Sequence, residues 1–411
     1  MIASRRSLRL IAQFASLATA AVVLWPLTPW SPAPRFVSQT SPFLAICTAI
    51  ATRAVGLGSI LGFAIALVTV ARRRWFCRYL CPTGLLLEGI TRIGLGKTSW
   101  WARWPPIGKY AAILTAAGAL VGYPVLLWME PIAVFSTPFA IRGAADFFSG
   151  AVAGLCLVVL ILATFLMGLV WCAKVCPLGG AQDLLESAKS LFAVRSGHSR
   201  IPTHPPLTVV GRVVMARRTM FLGAVGAGLG LWARRAGAAR GEDAPLRPPG
   251  AVPEERFTGL CIRCYNCIRA CPTRIIRPDV GQAGLSGLLA PLVRYDTQRY
   301  CRETCNACTQ VCPTGALQAL TLEQKHRYVI GEALADTSLC LLTLGKKECD
   351  ACLQSCPFDA VRIHWDEDQY VAYPVIDPSK CNGCGACEVA CPTRPFKAIR
   401  VWKAVDRGEL G

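Results

Sequence analysis

Long apolar runs alternate with basic segments over the first 240 positions of the chain. Four runs are long enough, or nearly so, to cross about 30 Å of hydrocarbon as helices. They cover residues 8–27, 43–71, 110–129 and 150–171. The pattern therefore predicts a membrane α-helical bundle of four spans, and a further run after residue 218 adds a short fifth hydrophobic segment.

The basic residues predict how these helices are oriented. Segments 72–109 and 174–218 are rich in Lys and Arg, whereas segments 28–42 and 130–148 hold one basic residue each. By the positive-inside rule, the amino terminus and both basic segments lie in the cytoplasm. The formal net charge is +19, but this excess belongs to the hydrophobic half, because residues 241–411 hold 20 basic and 20 acidic residues. Nucleic-acid binding is therefore not expected.

The pattern changes after residue 257 to short strands and turns around cysteines. Sixteen cysteines form four successive groups, and each group closes with Cys-Pro. The groups are Cys261, Cys264, Cys267 and Cys271; Cys301, Cys305, Cys308 and Cys312; Cys340, Cys349, Cys352 and Cys356; and Cys381, Cys384, Cys387 and Cys391. We predict an α+β polyferredoxin domain at 257–411, built from duplicated bacterial-ferredoxin modules. It follows a membrane domain at 1–181, a basic segment with the fifth apolar run at 182–235 and an Ala/Gly/Pro-rich linker at 236–256.

The cysteine spacing predicts four [4Fe-4S] clusters. The first and last groups match the bacterial ferredoxin pattern, in which the cysteine before proline serves the neighbouring cluster. Structural zinc and a disulfide framework are the alternatives, but neither requires a repeated Cys-x2-Cys-x3-Cys-Pro. Haem is not expected, because no Cys-x-x-Cys-His occurs and none of the four histidines lies in a predicted span. The fourth ligands could pair the first group with the second and the third with the fourth, or outer with inner groups. The 25 to 30 residues between adjacent groups slightly favour the sequential pairing.

Two further cysteine pairs, both Cys-x3-Cys-Pro, follow the second and fourth predicted spans. They are Cys77 with Cys81 and Cys172 with Cys176. The topology places both pairs on the same side, which favours one shared iron–sulfur cluster. A redox-active dithiol or packed thiols are the alternatives. Cys47 and Cys156 lie singly in apolar stretches, where a cysteine usually acts as a small hydrophobe.

The junction between the halves carries a paired arginine, Arg217-Arg218, followed by an apolar run to residue 233. This pattern is typical of a twin-arginine export signal. Alternatively, the arginines belong to the positive-inside segment and the run is a short fifth span. Either arrangement places the ferredoxin domain outside the cytoplasm, whereas a run that does not cross would leave it inside.

Ionisable residues near the predicted spans are candidates for contact with a quinol, since charge in hydrocarbon is costly. The candidates are Arg53, Glu88, Glu130, Arg142 and Asp146. For Arg53 the alternative is a position at the outer interface. For the three residues from 130 to 146 the alternative is a solvated loop.

With these motifs in view, the chain resembles a fusion of two subunits of the quinol dehydrogenase associated with periplasmic nitrate reductase. The first half resembles the membrane subunit (NapH-like) and the second the exported ferredoxin subunit (NapG-like). The second likeness rests on the twin arginines, on residues 247–255 before Cys261, on 313–317 and on Asp336 before Cys340. Related pairs (MauN-like and MauM-like) are associated with methylamine oxidation. One departure is that no further ferredoxin cysteines lie between Cys176 and Cys261.

The resemblance implies an iron–sulfur protein, anchored in the bacterial inner membrane, that passes electrons from the quinol pool to a periplasmic reductase or c-type cytochrome. Quinol would be its substrate, and it would act within a complex as a component of a quinol dehydrogenase or as a pure electron-transfer subunit. Alternatives are a membrane redox sensor, a maturation factor, or reverse flow from a periplasmic dehydrogenase. The sequence does not decide the direction of flow, the quinone, the acceptor or whether the signal is cleaved.

Overall fold

The computed structural model describes residues 2–25, 33–72, 74–96, 101–143, 147–195, 209–238, 245–295 and 298–403. Within these residues the first half of the chain is helical. Its helices are α1 (Ile2–Leu24), α2 (Pro34–Gln39), α3 (Pro42–Thr52), α4 (Leu57–Ala71), α5 (Trp75–Tyr79), α6 (Pro82–Ile93), α7 (Ile107–Leu120), α8 (Pro131–Ser136), α9 (Phe147–Met167), α10 (Pro177–Arg195) and α11 (Val209–Ala238). Single helical turns lie at Trp101–Arg103, Leu127–Met129, Thr137–Gly143 and Trp171–Val175.

The four predicted spans are not confirmed as four long helices. Among the described residues, one helix contains a window long and apolar enough to cross a membrane, at Gly150–Met167. The predicted span at 43–71 is two packed helices, α3 and α4, because the chain turns after Thr52. Arg53 has φ 55° there and caps α3 in the left-handed region. The composition of this stretch hides the turn, since Ala54, Val55 and Gly56 are themselves apolar or small.

Large apolar side chains point outward from the helical half. On α9 they recur at the three- and four-residue spacing of one helix face, and each is more than half exposed. They are Leu155, Val158, Val159, Leu162 and Leu166. Exposed apolar side chains also lie on α1, α4 and α11, including Phe14, Leu67 and Trp232. An apolar surface of this extent needs a covering other than water.

The fifth hydrophobic segment forms part of a single 30-residue helix, α11, that packs along α7. Glycine permits the close approach: a side chain at Gly226 would meet the backbone of Leu114 at 2.6 Å. At the end of α11, Arg234 donates to the carbonyl oxygen of Val121 and pairs with Glu255 at 3.1 Å. The helix runs through Arg217 and Arg218, which are exposed. The predicted signal segment thus lies within one continuous helix that packs against α7.

The second half consists of short helices and two-stranded sheets. The helices are α12 (Glu254–Leu260), α13 (Asn266–Ala270), α14 (Gly284–Gly287), α15 (Ala307–Gln310), α16 (Leu322–Arg327), α17 (Ala351–Gln354) and α18 (Ala386–Ala390). The strands are β1 (Ile276–Pro278), β2 (Pro291–Val293), β3 (Glu332–Ala335), β4 (Val361–Asp366), β5 (Val371–Ile376) and β6 (Ile399–Trp402). All pairs are antiparallel: β1 with β2, β4 with β5, and β3 with β6, which is distant in sequence.

The end of the predicted linker is an integral part of the second half. Arg247 and Glu254 form a buried two-point ion pair, with N···O distances of 2.9 and 2.7 Å. Arg247 also donates to the carbonyl oxygen of Pro291 and lies over the ring of Phe257. These bonds fix residues 247–254 against the start of α12, which explains why a stretch rich in proline and glycine is ordered.

The two halves pack on each other through α12, α13 and the turns before α9. The Tyr123 hydroxyl hydrogen-bonds to Thr258, and the Tyr123 ring lies so close to Gly259 that an added Cβ would meet it at 2.8 Å. Arg256 donates to the carbonyl oxygen of Ala51, and Arg269 to that of Leu24. One hydrophobic cluster of buried residues runs through both halves.

We expect Glu254→Gln to loosen residues 247–260, because it leaves the buried Arg247 charge without its partner. Breaking a buried pair costs about 3–5 kcal/mol. Hydrogen–deuterium exchange of the whole protein would show faster exchange in peptides covering 247–260. The matched control is Glu323→Gln, which removes the exposed pair with Arg327 and is worth about 1 kcal/mol at most. Equal protection of 247–260 in both variants would contradict the prediction.

Candidate iron–sulfur sites

The sixteen cysteines of the second half gather into four sites of four. Three of the sites are cavities lined by the sulfurs, and in the remaining one the four thiols lie within electrostatic range of one another. Site I is Cys261, Cys264, Cys267 and Cys312; site II is Cys271, Cys301, Cys305 and Cys308; site III is Cys340, Cys349, Cys352 and Cys391; site IV is Cys356, Cys381, Cys384 and Cys387.

The cysteine before each proline lies with the neighbouring group, a pairing that the sequence left open. Cys271 joins the second group, and Cys312 joins the first. Cys356 joins the fourth group, and Cys391 joins the third. Consecutive groups therefore exchange their cysteines before proline. This exchange links the first two groups into one module and the last two into another.

Each Cys-x2-Cys-x2-Cys loop bends around its site with the same backbone conformation. The residues on either side of the second cysteine have positive φ: Arg263 and Tyr265 at 57° and 60°, and Gly383 and Gly385 at 73° and 83°. The backbone amide two residues after that cysteine hydrogen-bonds to its sulfur, from Asn266 in one loop and Ala386 in the other. Glycine is essential at 385, since an added Cβ would meet the Tyr295 ring at 2.5 Å.

The donor set fits an iron–sulfur cluster. Each of sites I, III and IV is a small cavity of about 20 Å³, and the lining of these three cavities contains no histidine or carboxylate. Zinc holds four sulfurs at about 2.3 Å around one point. In the described part of the chain, no three His, Cys, Asp or Glu side chains close around a single ion. All 22 cysteines are free thiols, so a disulfide framework is not formed.

Burial explains why the sites need a positively charged occupant. It raises the pKa of Cys264 and of Cys384 to about 12, partly offset by the backbone amides just described. Four thiolates in such a space repel one another, and iron supplies the compensating charge that deprotonates them.

The four sites follow one another in space in the order I, II, IV, III. Cys267 of site I lies within electrostatic range of Cys308 of site II. The amide of Cys301 at site II donates to the carbonyl oxygen of Cys384 at site IV at 2.9 Å. Tyr295, fully buried at this junction, donates to the carbonyl oxygen of Gly383 at 2.7 Å. Sites IV and III are joined by their exchanged cysteines.

Site I contacts the helical half directly. Ser136 of α8 donates from its hydroxyl to the carbonyl oxygen of Cys264 at 3.2 Å. At the other end of the succession, Cys340, Cys349 and Cys352 of site III are only half-buried. The succession therefore begins against the helices and ends near solvent.

The two upstream cysteine pairs also come together. Cys77 lies within electrostatic range of Cys81, Cys172 and Cys176, and we call these four the upstream site. The pairs are built alike: the amide of Gly84 hydrogen-bonds to the Cys81 sulfur, and that of Gly179 to the Cys176 sulfur.

Polar groups on α10 and before α5 surround this upstream site. Gln182 donates to the Cys77 sulfur at 3.0 Å. Beside it, Arg74 and Asp183 form a two-point ion pair at 2.9 and 2.6 Å. Gln182 could not be predicted from the sequence, because a single glutamine on a helix is common.

The five candidates for quinol contact do not gather into one site. Arg53 is exposed at the α3–α4 turn, and Glu88 pairs with Arg9 at 2.9 Å. Arg142 lies in the helical turn Thr137–Gly143, and Asp146 lies outside the described residues. Glu130 is fully buried rather than on a solvated loop.

Glu130 lies within electrostatic range of the upstream site. Its charge acts on Cys77, Cys81 and Cys176. Neither carboxylate oxygen has a hydrogen-bond partner of normal geometry among the described residues, although the Ser41 hydroxyl is near enough to stabilise the charged form.

Comparison with protein families agrees with these sites. The 4Fe-4S dicluster domain matches residues 260–316 and 347–394. A second family, described as a 4Fe-4S binding domain, matches residues 55–100 and 149–201, which contain the two upstream pairs. The predicted tandem ferredoxin modules and iron–sulfur cofactors are thereby confirmed. No solved structure matches the chain.

Several curated proteins are similar to the chain over part of its length. The ferredoxin-type protein NapG of Escherichia coli is 33% identical over 200 residues, which are 46% of this chain and 83% of NapG. The methylamine utilization ferredoxin-type protein MauM of Methylophilus methylotrophus is 35% identical over 36% of this chain and 66% of MauM. The MauM of Methylorubrum extorquens is 31% identical over 40% and 76%, respectively. The chain therefore belongs to the family of ferredoxin-type iron–sulfur electron-transfer proteins that includes NapG and MauM.

Proposed function

We propose that the chain is a membrane-anchored protein that oxidises quinol on its helical half and delivers the electrons, through its ferredoxin half, to a periplasmic reductase or c-type cytochrome. The observation that carries the proposal is the succession of cysteine sites, which starts against the helices at Ser136 and ends at the half-buried site III. Such an arrangement serves conduction from one partner to another.

In this proposal the four cysteines of each site I–IV hold one [4Fe-4S] cluster, and the upstream site holds a fifth. A bound cluster of this type takes up and releases single electrons at a potential set by its charge, hydrogen bonds and exposure. The residues around each site orient the thiolates, exclude water and supply amide hydrogen bonds to sulfur.

Three observations support membrane anchoring. The outward apolar face of α9 and the exposed apolar side chains of α1, α4 and α11 suit contact with lipid. The Lys/Arg-rich segments follow the positive-inside pattern. Residues that contact the ferredoxin half, such as Leu24, Ala51 and Tyr123, lie at helix ends away from those basic segments. We therefore propose that the amino terminus is cytoplasmic and the ferredoxin half periplasmic.

The chain then combines in one polypeptide a NapH-like membrane part and a NapG-like ferredoxin part. The match of a 4Fe-4S binding domain to both upstream pairs supports this. The continuous helix α11 between the halves suits a permanent anchor, so we propose that it is retained rather than cleaved as a signal.

Quinol oxidation releases two electrons and two protons, so the site needs a proton acceptor as well as an electron acceptor. Glu130 suits the role of proton acceptor, because it is buried beside Ser41 and lies within electrostatic range of the upstream cysteines. Burial raises the pKa of Glu130 to about 7, which lets the carboxylate accept a proton near neutral pH.

The direct test is anaerobic purification of the intact protein, addition of a reduced menaquinol analogue and detection of reduced clusters by electron paramagnetic resonance. We expect rapid reduction in the wild type and its loss in Cys77→Ala/Cys176→Ala. Clusters that accept electrons from dithionite but never from quinol would overturn quinol oxidation and leave a conduit or sensor dependent on a partner.

Iron counting tests the exchanged cysteines. Cys267→Ala/Cys312→Ala removes two ligands of site I, and we expect it to lose about four iron atoms, the content of one [4Fe-4S] cluster. Cys308→Ala/Cys312→Ala removes one ligand from each of two sites and should affect two clusters. Iron and acid-labile sulfide per chain measure both. Loss of two clusters in Cys267→Ala/Cys312→Ala and of one in Cys308→Ala/Cys312→Ala would show instead that each group holds its own cluster.

Glu130→Gln keeps the shape of the side chain but cannot accept a proton. General-base catalysis contributes about 10²-fold or more, so we expect quinol-driven reduction to slow by roughly that factor. In the wild type the rate should rise with pH through about 7, since the carboxylate is the active form, and the variant should lack this rise. Glu323→Gln, at an exposed position of the other half, is the control. An unchanged rate and pH profile in Glu130→Gln would exclude this role.

A further inference from the structure

A buried lysine lies against site II. Lys325 is fully buried on α16, and its ammonium group donates to the carbonyl oxygen of Arg302 at 2.7 Å. The same group is within hydrogen-bonding reach of the Cys301 side chain. Burial raises the pKa of the Cys301 thiol to about 11, and the charge and hydrogen bond of Lys325 oppose that rise. Two of its three donors thus point to the backbone and to a cysteine of site II.

The local fold holds this lysine in place. Thr321 and Gln324 form a reciprocal capping box at the start of α16, with bonds of 3.1 and 2.9 Å. The next residue, His326, contacts the carbonyl oxygen of Glu303 at 2.9 Å. At the end of the helix, the Tyr328 hydroxyl donates to the carbonyl oxygen of Ala251 at 2.8 Å.

Carboxylates do not neutralise Lys325 in the part of the chain that the structure describes. Its ammonium group donates there to the Arg302 carbonyl, lies within hydrogen-bonding reach of Cys301 and acts electrostatically on Cys305 and Cys308. Arg247, the other buried cation near a site, is by contrast paired with Glu254. A buried and unpaired positive charge acts strongly on its surroundings, because little solvent screens it.

Among the described residues, no buried cation comparable to Lys325 lies against site IV, the next in the succession. The groups that act on Cys384 and Cys387 are other cysteines and backbone amides. The buried Tyr295 at the junction between the sites feels Glu388 as well as the cysteines. The electrostatic environment is therefore more positive at site II than at site IV.

We propose that Lys325 raises the reduction potential of the cluster at site II above that of the cluster at site IV, so that the transfer from site II to site IV is the uphill step for an electron entering from the helical half. Reduction adds a negative charge, and a nearby buried ammonium group stabilises the reduced form. The inference rests on the proposed occupancy of sites II and IV, but not on quinol as the donor.

The test is a redox titration of the whole protein followed by electron paramagnetic resonance. The signal of site II is the one lost in Cys305→Ala. In Lys325→Met we expect the reduced-to-oxidised ratio of this signal to fall at least tenfold at fixed ambient potential, which is 59 mV for a one-electron couple. In Lys325→Arg the reduction potential of site II should stay close to the wild-type value, because arginine keeps the positive charge. Lys397→Met, near Cys391 of site III, is the control and should leave the site II signal unchanged.

An unchanged potential in Lys325→Met, with iron content intact, would overturn the proposal. If Lys325→Met does not load iron, labelling provides a second test on the unaltered protein. With ¹⁵N-lysine, the site II signal should show coupling to ¹⁵N, and its absence would also overturn the proposal. Failure of quinol to reduce any cluster would leave both results valid, so this inference and the quinol proposal fail separately.

Discussion

The constraint on which the ferredoxin half depends is the convergence of four sulfurs at each of four sites. Short loops must turn sharply to meet it, which explains the left-handed residues on both sides of Cys264 and of Cys384. Little chain is then left for regular structure, and the sheets have two strands each. The cysteines themselves form much of the core, beside Phe257 and Ile268. Stability in such a domain comes largely from its metal centres.

The same constraint explains what the sequence could and could not predict. Cysteine spacing predicted the groups, because a cluster dictates local ligand geometry. It only slightly favoured the sequential pairing that places Cys271 with the second group, since pairing of outer with inner groups satisfies the same local spacing. Hydropathy located the apolar stretches but not the turn at Arg53, because that turn uses small and apolar residues. Lys325 left no signal, as it stands among charged residues on a short helix that has the pattern of an exposed segment.

The docking of the two halves follows from a few close contacts. Gly259 allows the Tyr123 ring to reach the backbone of α12, and Ser136 bonds directly to the loop of site I. Because one hydrophobic cluster runs through both halves, the first site is held rigidly relative to the helices. Helix α11 packs along α7 and against α12, and this packing also fixes the distance between the two halves.

The exchange of cysteines between neighbouring groups also determines the order in which the chain can mature. During synthesis, the first loop emerges with three ligands of site I, but the fourth, Cys312, follows some forty residues after Cys271. Site III has its first ligand at Cys340 and is completed by Cys391, the last cysteine of the chain. Each module is thus an indivisible unit for the machinery that inserts iron and sulfide, which must wait until both loops of a module have been made rather than act loop by loop.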